Sequence, residues 1–321
     1  MAGPSTGMDP KTEIGMIALD DGISVRRMVV HAIAPKGTVI LLHGFPETLY
    51  AWQDIARALA NDFDVHTFDW PGYGLSSRPS SDDFSYSPMT YAQLLRQYIV
   101  TTGIDRSPLT IYAADISGLP VLLLALQEPK TARKIIVGDS APFNRPAYMH
   151  QDLQSLKAKP SSDHVRDAWN AARNDLVEGK EFGAGLPPDA RIEVARGFKD
   201  DMAQGWSHGE ITTMDAFHHY YSFLARDQDD FERRLKGLRT PVKVVWGELD
   251  PYIGKEMGAE LAERLSGELK LLSGIGHYPH LQAPELVIAE IQESFSQGLL
   301  FSPQSPWEPD DDPASIGTVK K

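Results

Sequence analysis

The sequence contains no cysteine, which excludes disulfide bonds and thiolate chemistry. Basic residues are also scarce, because 31 lysines and arginines stand against 44 aspartates and glutamates, for a net charge of −13. A chain this acidic is poorly suited to binding nucleic acid or an anionic membrane surface. No hydrophobic run reaches the length of a membrane span, and neither an HExxH nor a CxxC motif is present. We therefore expect no nucleic acid, no membrane, no metal and no cofactor.

The length and composition indicate a globular protein. A chain of 321 residues with 42% hydrophobic content can bury one large core or two modest ones. The N-terminus lacks the basic region followed by an apolar one that a secretory leader would have. Together with the absence of cysteine, this favours a cytoplasmic protein. The sequence leaves open whether copies of the chain form a homo-oligomer.

The most informative stretch is Leu109–Pro129, LTIYAADISGLPVLLLALQEP. Its first six residues predict a buried strand, and the apolar run at its end predicts a helix. Asp115 stands at the turn between them, with the small residues Ala113 and Gly118 close on either side, as a sharp strand-to-helix turn requires. This is the pattern of a nucleophile elbow with a carboxylate at the pivot. On this stretch alone, Asp115 is either a catalytic group or the N-cap of the helix.

Strands and helices alternate around this stretch. Besides the strand before Asp115, the pattern predicts strands at residues 26–33, 38–43, 63–69, 134–139, 242–248 and 269–273. The alternation predicts an α/β fold with a parallel, doubly wound sheet, in which ligands bind at the carboxyl ends of the strands. Four polar side chains stand at such ends, namely His43, Asp69, Asp115 and Asp139.

The alternation stops between residues 143 and 236, where only helical periodicity remains. We expect this segment to form a helical cap, or lid, over the strand ends. Residues 13–142 and 237–300 are then the two parts of the α/β core. Residues 1–12 are predicted to be a flexible arm, and residues 301–321 a Pro-rich acidic tail.

Further motifs complete a recognisable set. They are HGFPE at 43–47, DWPGYGLSS at 69–77, WGELD at 246–250 and GHYPH at 276–280. Asp115, Asp250 and His277 follow the chain order nucleophile, acid, histidine. With Pro129 fourteen positions after Asp115, these motifs make residues 26–298 resemble α/β-hydrolases with an aspartate nucleophile: epoxide hydrolases, haloalkane dehalogenases and fluoroacetate dehalogenases.

The resemblance implies a mechanism. Asp115 would attack an electrophilic carbon and form an ester, and His277 would activate the water that hydrolyses it. The backbone N–H groups of Phe45 and Ile116 would form the oxyanion hole. Ser117, the alternative nucleophile, would break the register with Pro129.

Two acids compete to orient His277. Asp250 occupies the position used by epoxide hydrolases, and Asp139 the position used by fluoroacetate dehalogenases. We favour Asp250, which leaves Asp139 as the second candidate or as a loop-capping residue.

The leaving group separates the possible activities. Haloalkane dehalogenases carry a Trp where this chain has Ile116, and fluoroacetate dehalogenases carry arginines after the nucleophile, which are missing here. Epoxide hydrolases use a pair of cap tyrosines as proton donors, and Tyr221 lies where the second would fall, unless it belongs to the core of the cap. Tyr220 points about 100° away on the same helix, and His164 and Tyr148 are the candidates for the other donor.

We therefore expect hydrolysis of an epoxide to a diol, with a small-molecule substrate of apolar or moderately polar character. The alternatives are a dehalogenase of a small haloacid or haloalkane, and a non-hydrolytic lyase or biosynthetic protein that shares the fold.

Overall fold

The computed structural model describes residues 10–296, and its centre is an eight-stranded sheet. The strands are β1 (Lys11–Ala18), β2 (Ser24–His31), β3 (Thr38–Leu42), β4 (Asp64–Phe68), β5 (Leu109–Ala114), β6 (Lys134–Gly138), β7 (Val242–Gly247) and β8 (Glu268–Leu272). Their order in space is β1-β2-β4-β3-β5-β6-β7-β8. Strands β3 to β8 run parallel to one another, whereas β2 is antiparallel to both of its neighbours.

Eleven α-helices are found in the described part of the chain. They are α1 (Gln53–Leu59), α2 (Pro88–Thr102), α3 (Gly118–Gln127), α4 (Gln151–Ser155), α5 (Ser161–Ala171), α6 (Arg173–Val177), α7 (Arg196–Gly205), α8 (Thr213–Arg234), α9 (Lys255–Leu265), α10 (Pro279–Gln282) and α11 (Pro284–Ser296). Helices α4 to α8 form one helical segment between β6 and β7, within residues 143–236. None of the helices in residues 10–296 is long and apolar enough to cross a bilayer.

The central strands are apolar on both faces because helices cover both sides of the sheet. Every residue of β3 and β5 is buried. Helix α3 follows β5 after a single turn and is almost entirely apolar, so it packs in the interior. The carboxyl ends of β3, β5, β6 and β7 are therefore brought side by side along one edge of the sheet.

A buried cluster of charges, which we call the anchor, fixes the helical segment to the sheet. It consists of Arg26 on β2, Asp69 after β4 and Asp201 on α7. Arg26 donates two hydrogen bonds of 2.7 Å to Asp201 and one of 2.6 Å to Asp69. Thr48 donates a further bond of 2.6 Å to Asp201. Since these side chains are buried, α7 is held in one position over the core.

The predicted fold class is confirmed, with corrections at the N-terminus. Strand β1 begins at Lys11, inside the predicted arm of residues 1–12, of which residues 1–9 lie outside the described part. β1 escaped prediction because it is an edge strand with both faces open, so that even Ile14 and Met16 are exposed and no alternation marks it. The predicted tail, residues 301–321, also lies outside the described residues.

Candidate active site

Asp115 stands at the carboxyl end of β5, where the chain turns directly into α3. Its φ of +51° lies in the left-handed region, which costs free energy for any residue with a Cβ. The turn is possible because small residues surround it. A Cβ on Gly44 would stand 2.6 Å from Asp115 Oδ2, and a Cβ on Gly118 would stand 2.5 Å from Ser140. The backbone N–H of Asp115 is itself held by the C=O of Asp139 at 3.1 Å.

A backbone N–H group holds the Asp115 carboxylate. Phe45 N–H donates to Oδ2 at 2.7 Å, and the neighbouring Ile116 N–H also lowers the pKa of the carboxyl. The loop that carries Phe45 is fixed by Glu47, which accepts the N–H of Gly44 at 2.8 Å. The Phe45 N–H points at Oδ2 of Asp115, where it could stabilise an oxyanion if an ester formed on that residue.

Glu47 also connects the HGFPE and GHYPH motifs. Its Oε1 lies 2.6 Å from Nε2 of His280, and the His280 ring stacks on Trp52 at 4.3 Å between centroids. All three side chains are buried. His280 therefore holds the Phe45 loop in place, and its position behind that loop separates it from the Asp115 carboxylate.

His277 lies between two carboxylates. Its Nδ1 is 2.7 Å from Asp250 Oδ2, and its Nε2 is 3.9 Å from Asp115 Oδ1. The other oxygen of Asp250 accepts the backbone N–H groups of Tyr252 at 2.8 Å and Ile253 at 3.0 Å. The hydrogen bond to Asp250 fixes the tautomer and orientation of the imidazole, so that Nε2 faces the carboxylate of Asp115.

Burial and neighbouring charges change the pKa values of both Asp115 and His277. Burial raises the pKa of Asp115 to about 6, although the His277 cation and the Phe45 N–H oppose the rise. Burial lowers the pKa of His277, but the carboxylates of Asp250 and Asp115 outweigh it and raise the value to about 10. At neutral pH the pair is therefore an ionised carboxylate beside an imidazolium. Neutralising Asp115 would remove one of the charges that raise the pKa of His277.

Asp139 reaches the same place from the end of β6. It is fully buried with a φ of +45°, and its Oδ1 accepts the N–H of Gly247 at 2.8 Å. Its Oδ2 has no hydrogen-bond partner among the described residues. One carboxylate oxygen of Asp139, one of Asp250 and one ring nitrogen of His277 all lie within 4.8 Å of one another. Both candidate acids are thus close to His277, but the imidazole hydrogen-bonds Asp250.

Ser117 faces the core. Its hydroxyl donates to the C=O of His43 at 2.5 Å and accepts the indole N–H of Trp70 at 2.9 Å. The side chain is fully buried. The two hydrogen bonds hold the Ser117 hydroxyl against the backbone at the end of β3 and the buried Trp70 ring. It makes no hydrogen bond to His277.

The candidate proton donors in the helical segment are placed differently from one another. Tyr220 donates its hydroxyl proton to the C=O of Ile116 at 3.0 Å. Tyr221 is buried against Phe217, with 4.7 Å between ring centroids, and its hydroxyl makes no hydrogen bond to any described residue. Neither tyrosine is among the residues that line the cavity above Asp115, and neither is His164, which is exposed on α5.

A cavity of about 360 Å³ opens above Asp115 and His277. Much of its wall is apolar and comes from Phe45, Leu153, Trp169, Leu176 and Phe217. Its charged lining consists of Asp115, Asp152 and Glu181, together with the two histidines His150 and His277. Of the described residues that line it, none is a lysine or an arginine.

The structure adds lining residues that the sequence did not single out. Tyr252 donates its hydroxyl proton to Glu181 Oε2 at 2.5 Å, and its ring meets the edge of His277 at 5.1 Å between centroids. The place of Tyr252, two residues after Asp250, was the only signal for it. Trp169 stacks on Phe45 at 5.7 Å, and on an amphipathic helix it looked like an ordinary core residue.

Comparison with known proteins supplies a family match and distant relatives. Residues 37–284 match the family model described as alpha/beta hydrolase fold. Epoxide hydrolase 1 of Caenorhabditis elegans is 23% identical over 282 residues, which are 80% of this chain and 64% of that protein. The fluoroacetate dehalogenase of a Burkholderia species is 35% identical over 106 residues, which are 32% of this chain and 34% of that protein. The chain thus spans less than two thirds of the length of either relative.

The solved structure of a haloalkane dehalogenase from Bradyrhizobium elkani superposes with a TM-score of 0.70. The match covers 89% of this chain and 98% of that one, at 18% identity. At this identity the likeness concerns the fold.

Proposed function

This chain belongs to the alpha/beta hydrolase fold family and is a hydrolase, and from that premise we propose that it converts epoxides to diols through an ester on Asp115. The observation that supports this most strongly is the Asp115 carboxylate itself. Its backbone is strained, its side chain is only 12% exposed, it accepts the Phe45 N–H at 2.7 Å, and its Oδ1 lies 3.9 Å from His277 Nε2. A carboxylate displaces a leaving group at saturated carbon, whereas the serine of an ordinary esterase attacks a carbonyl.

In the first half-reaction, an oxygen of Asp115 attacks an epoxide carbon and the carbon–oxygen bond of the ring breaks. The oxygen that leaves needs a proton, and Tyr221 is proposed as its donor because its hydroxyl is not committed to another group in the described structure. Tyr220 is a poorer candidate, because its proton already binds the C=O of Ile116.

In the second half-reaction, the charge of Asp115 has been lost to the ester, so the pKa of His277 falls from its value of about 10. The His277 imidazolium then releases a proton to the Tyr221 phenolate, which becomes a hydroxyl again. Neutral His277 takes a proton from water, and the hydroxide attacks the ester carbonyl, whose oxyanion meets the N–H groups of Phe45 and Ile116. The diol leaves with the proton from His277, one water oxygen remains on Asp115, and the second water proton passes from the Asp115 carboxyl to His277, which restores the ion pair.

The charge of the cavity argues against a haloacid as substrate. A haloacid carries a carboxylate, which would meet Asp152 and Glu181 without a lysine or arginine among the described lining residues. A haloalkane remains the second candidate, because Trp169 lines the cavity and its indole N–H makes no hydrogen bond to any described residue. Such a donor could solvate a departing halide.

A substrate panel tests the reaction, and trapping tests the mechanism. Epoxides, haloalkanes and haloacids are supplied to the wild-type protein, and diol and halide are measured; halide without diol overturns epoxide hydrolysis. His277→Gln should form the ester and then stall, giving a stoichiometric adduct in Leu109–Pro129 by mass spectrometry, and Asp115→Ala should give none. In heavy-oxygen water, repeated turnover should label the Asp115 carboxylate. An adduct on Ser117, or turnover without label, removes the proposal.

A further inference from the structure

Two carboxyl groups lie behind His277, although one is enough to orient an imidazole. Asp250 has both oxygens hydrogen-bonded, Oδ2 to His277 and Oδ1 to backbone N–H groups. Asp139 has only Oδ1 hydrogen-bonded, to Gly247 N–H, and its buried Oδ2 has no partner among the described residues. A buried carboxylate oxygen without a donor is costly, so its presence needs an explanation.

The charges around Asp139 explain it. Three ionisable groups approach it from the loops after β5, β7 and β8, namely Asp115, Asp250 and His277, and the Tyr112 hydroxyl approaches from β5. No lysine or arginine of the described residues forms an ion pair with Asp139. Three carboxylates would therefore lie close to one imidazolium in a largely buried place, which is unfavourable. In agreement, burial and then the charge of Asp250 raise the pKa of Asp139 well above its usual range.

We propose that Asp139 is a positioning residue: Asp139 and Asp250 hold one proton between them, carried by Asp139, so that the two carboxyls present a single negative charge to His277, and Asp139 ionises to replace Asp250 when the charge of Asp250 is lost. One oxygen of each carboxyl and one ring nitrogen of His277 lie within 4.8 Å of one another. A side-chain rotation or one bridging water would bring Asp139 into hydrogen-bond contact with the other two groups. The main chain of Asp139 is fixed, because its C=O accepts the N–H of Asp115 at 3.1 Å. Only the side chain has to move.

The shared proton can be observed without any substrate. In the free protein, carbon-13 NMR of labelled aspartate carboxyls should show one carboxyl that remains protonated above neutral pH and disappears in Asp139→Asn. In Asp250→Asn the same carboxyl should titrate at lower pH, because the neighbouring charge is gone. If every aspartate carboxyl except Asp115 is ionised at pH 7, the shared proton does not exist and the inference fails.

The second part of the proposal, that Asp139 replaces Asp250 as the charged partner of His277, is called the reserve role of Asp139. It is measured by the rate at which the Asp115 ester is hydrolysed, and this experiment rests on the proposed function. Asp250→Asn should slow hydrolysis about 10²-fold, and Asp139→Asn about 10-fold, whereas the double variant should lose about 10⁴-fold, since no ionised acid then holds His277. The residual hydrolysis in Asp250→Asn should rise with pH as Asp139 ionises, and this rise should vanish in the double variant. A purely structural role for Asp139 would not move that profile.

Two outcomes overturn the reserve role. Equal losses in Asp250→Asn and the double variant mean that Asp139 supplies no charge. A full loss in Asp139→Asn alone means that Asp139 is the orienting acid itself. Asp227→Asn, a buried aspartate on α8, is the control for burying an amide and should leave hydrolysis per folded molecule unchanged. If the wild-type protein forms no ester with any probe, the proposed function fails while the NMR experiment still decides the shared proton.

Discussion

Two clusters of charged side chains, the anchor and the cluster formed by Asp115, Asp139, Asp250 and His277, differ in how completely their polar atoms are satisfied. In the anchor, the Arg26 guanidinium makes three short hydrogen bonds to Asp69 and Asp201, and both carboxylates accept further bonds from Leu49 N–H and the Thr48 hydroxyl. In the cluster around Asp115, the nearest polar group to Asp115 Oδ1 recorded among the described residues is Nε2 of His277, at 3.9 Å.

The difference teaches what each cluster is suited to. Buried charges whose hydrogen bonds are all made keep two parts of a structure in register, and removing one partner leaves the other stranded. Asp115 is 12% exposed and lines the cavity, and its Oδ1 accepts no hydrogen bond from a described residue, so this oxygen stays available to a substrate. The expected effects of substitution should therefore separate activity in one cluster from stability in the other.

The largest effect is expected for Asp115→Asn, which keeps the shape and tolerates the left-handed turn. Turnover should fall by about 10⁴-fold or more, because no nucleophile remains. Stability should not fall: a carboxyl whose pKa is raised to about 6 in the folded state destabilises the fold when ionised. Thermal melting should show the variant equal to or above wild type at pH 8, with any advantage disappearing as the pH falls below the unfolded pKa. A lower melting temperature at pH 8 would contradict this.

Asp201→Asn should instead destabilise the protein, by about 3 to 5 kcal/mol, because it leaves the buried Arg26 with one carboxylate fewer. Urea unfolding measures the loss. The neighbouring Asp200 is the matched control, since it is 58% exposed and pairs with the exposed Arg196, so Asp200→Asn should stay within about 0.5 kcal/mol of wild type. Equal losses in the two variants would mean that burial of the anchor is irrelevant.

Tyr220 and Tyr221 on α8 allow the same comparison between an effect on stability and an effect on activity, with smaller expected changes. Tyr221→Phe should lower epoxide turnover about 10²-fold with little change in stability, because its hydroxyl is unpartnered and proposed to donate. Tyr220→Phe removes the hydrogen bond to Ile116 C=O and should cost about 1 kcal/mol of stability, with the smaller loss of turnover. If Tyr221→Phe melts early and is normally active per folded molecule, Tyr221 belongs to the core of the helical segment.

Much of this arrangement could be predicted because its determinants are local. The small residues beside Asp115 indicate the sharp turn there. The unbroken apolar runs indicate the buried strands. Asp139 and Asp250 end the neighbouring strands β6 and β7, so their approach to the same histidine followed from the topology.

The remainder depends on contacts that no local pattern records. Tyr252 and Glu181 are 71 positions apart, and their hydrogen bond joins the loop after β7 to the helical segment. Which oxygen of Asp139 or Asp250 reaches His277 depends on side-chain rotation after the sheet has formed. β1 was missed because an edge strand open on both faces lacks the alternation that burial imposes.

The smallest effect expected is in the pH dependence of ester formation. Only ionised Asp115 attacks, so the single-turnover rate should rise about tenfold per pH unit and level off above a midpoint of about 6. His277 is a cation throughout that range, since its pKa is about 10, and a nearby cation lowers the pKa of a carboxyl. His277→Gln removes the cation, so the midpoint should move to higher pH while the plateau rate persists. Rapid-quench mass spectrometry of the adduct measures both curves. A midpoint near 4, or one unmoved by His277→Gln, would mean that neither burial nor the His277 cation acts on the Asp115 carboxyl, and the contrast between the two clusters would not hold.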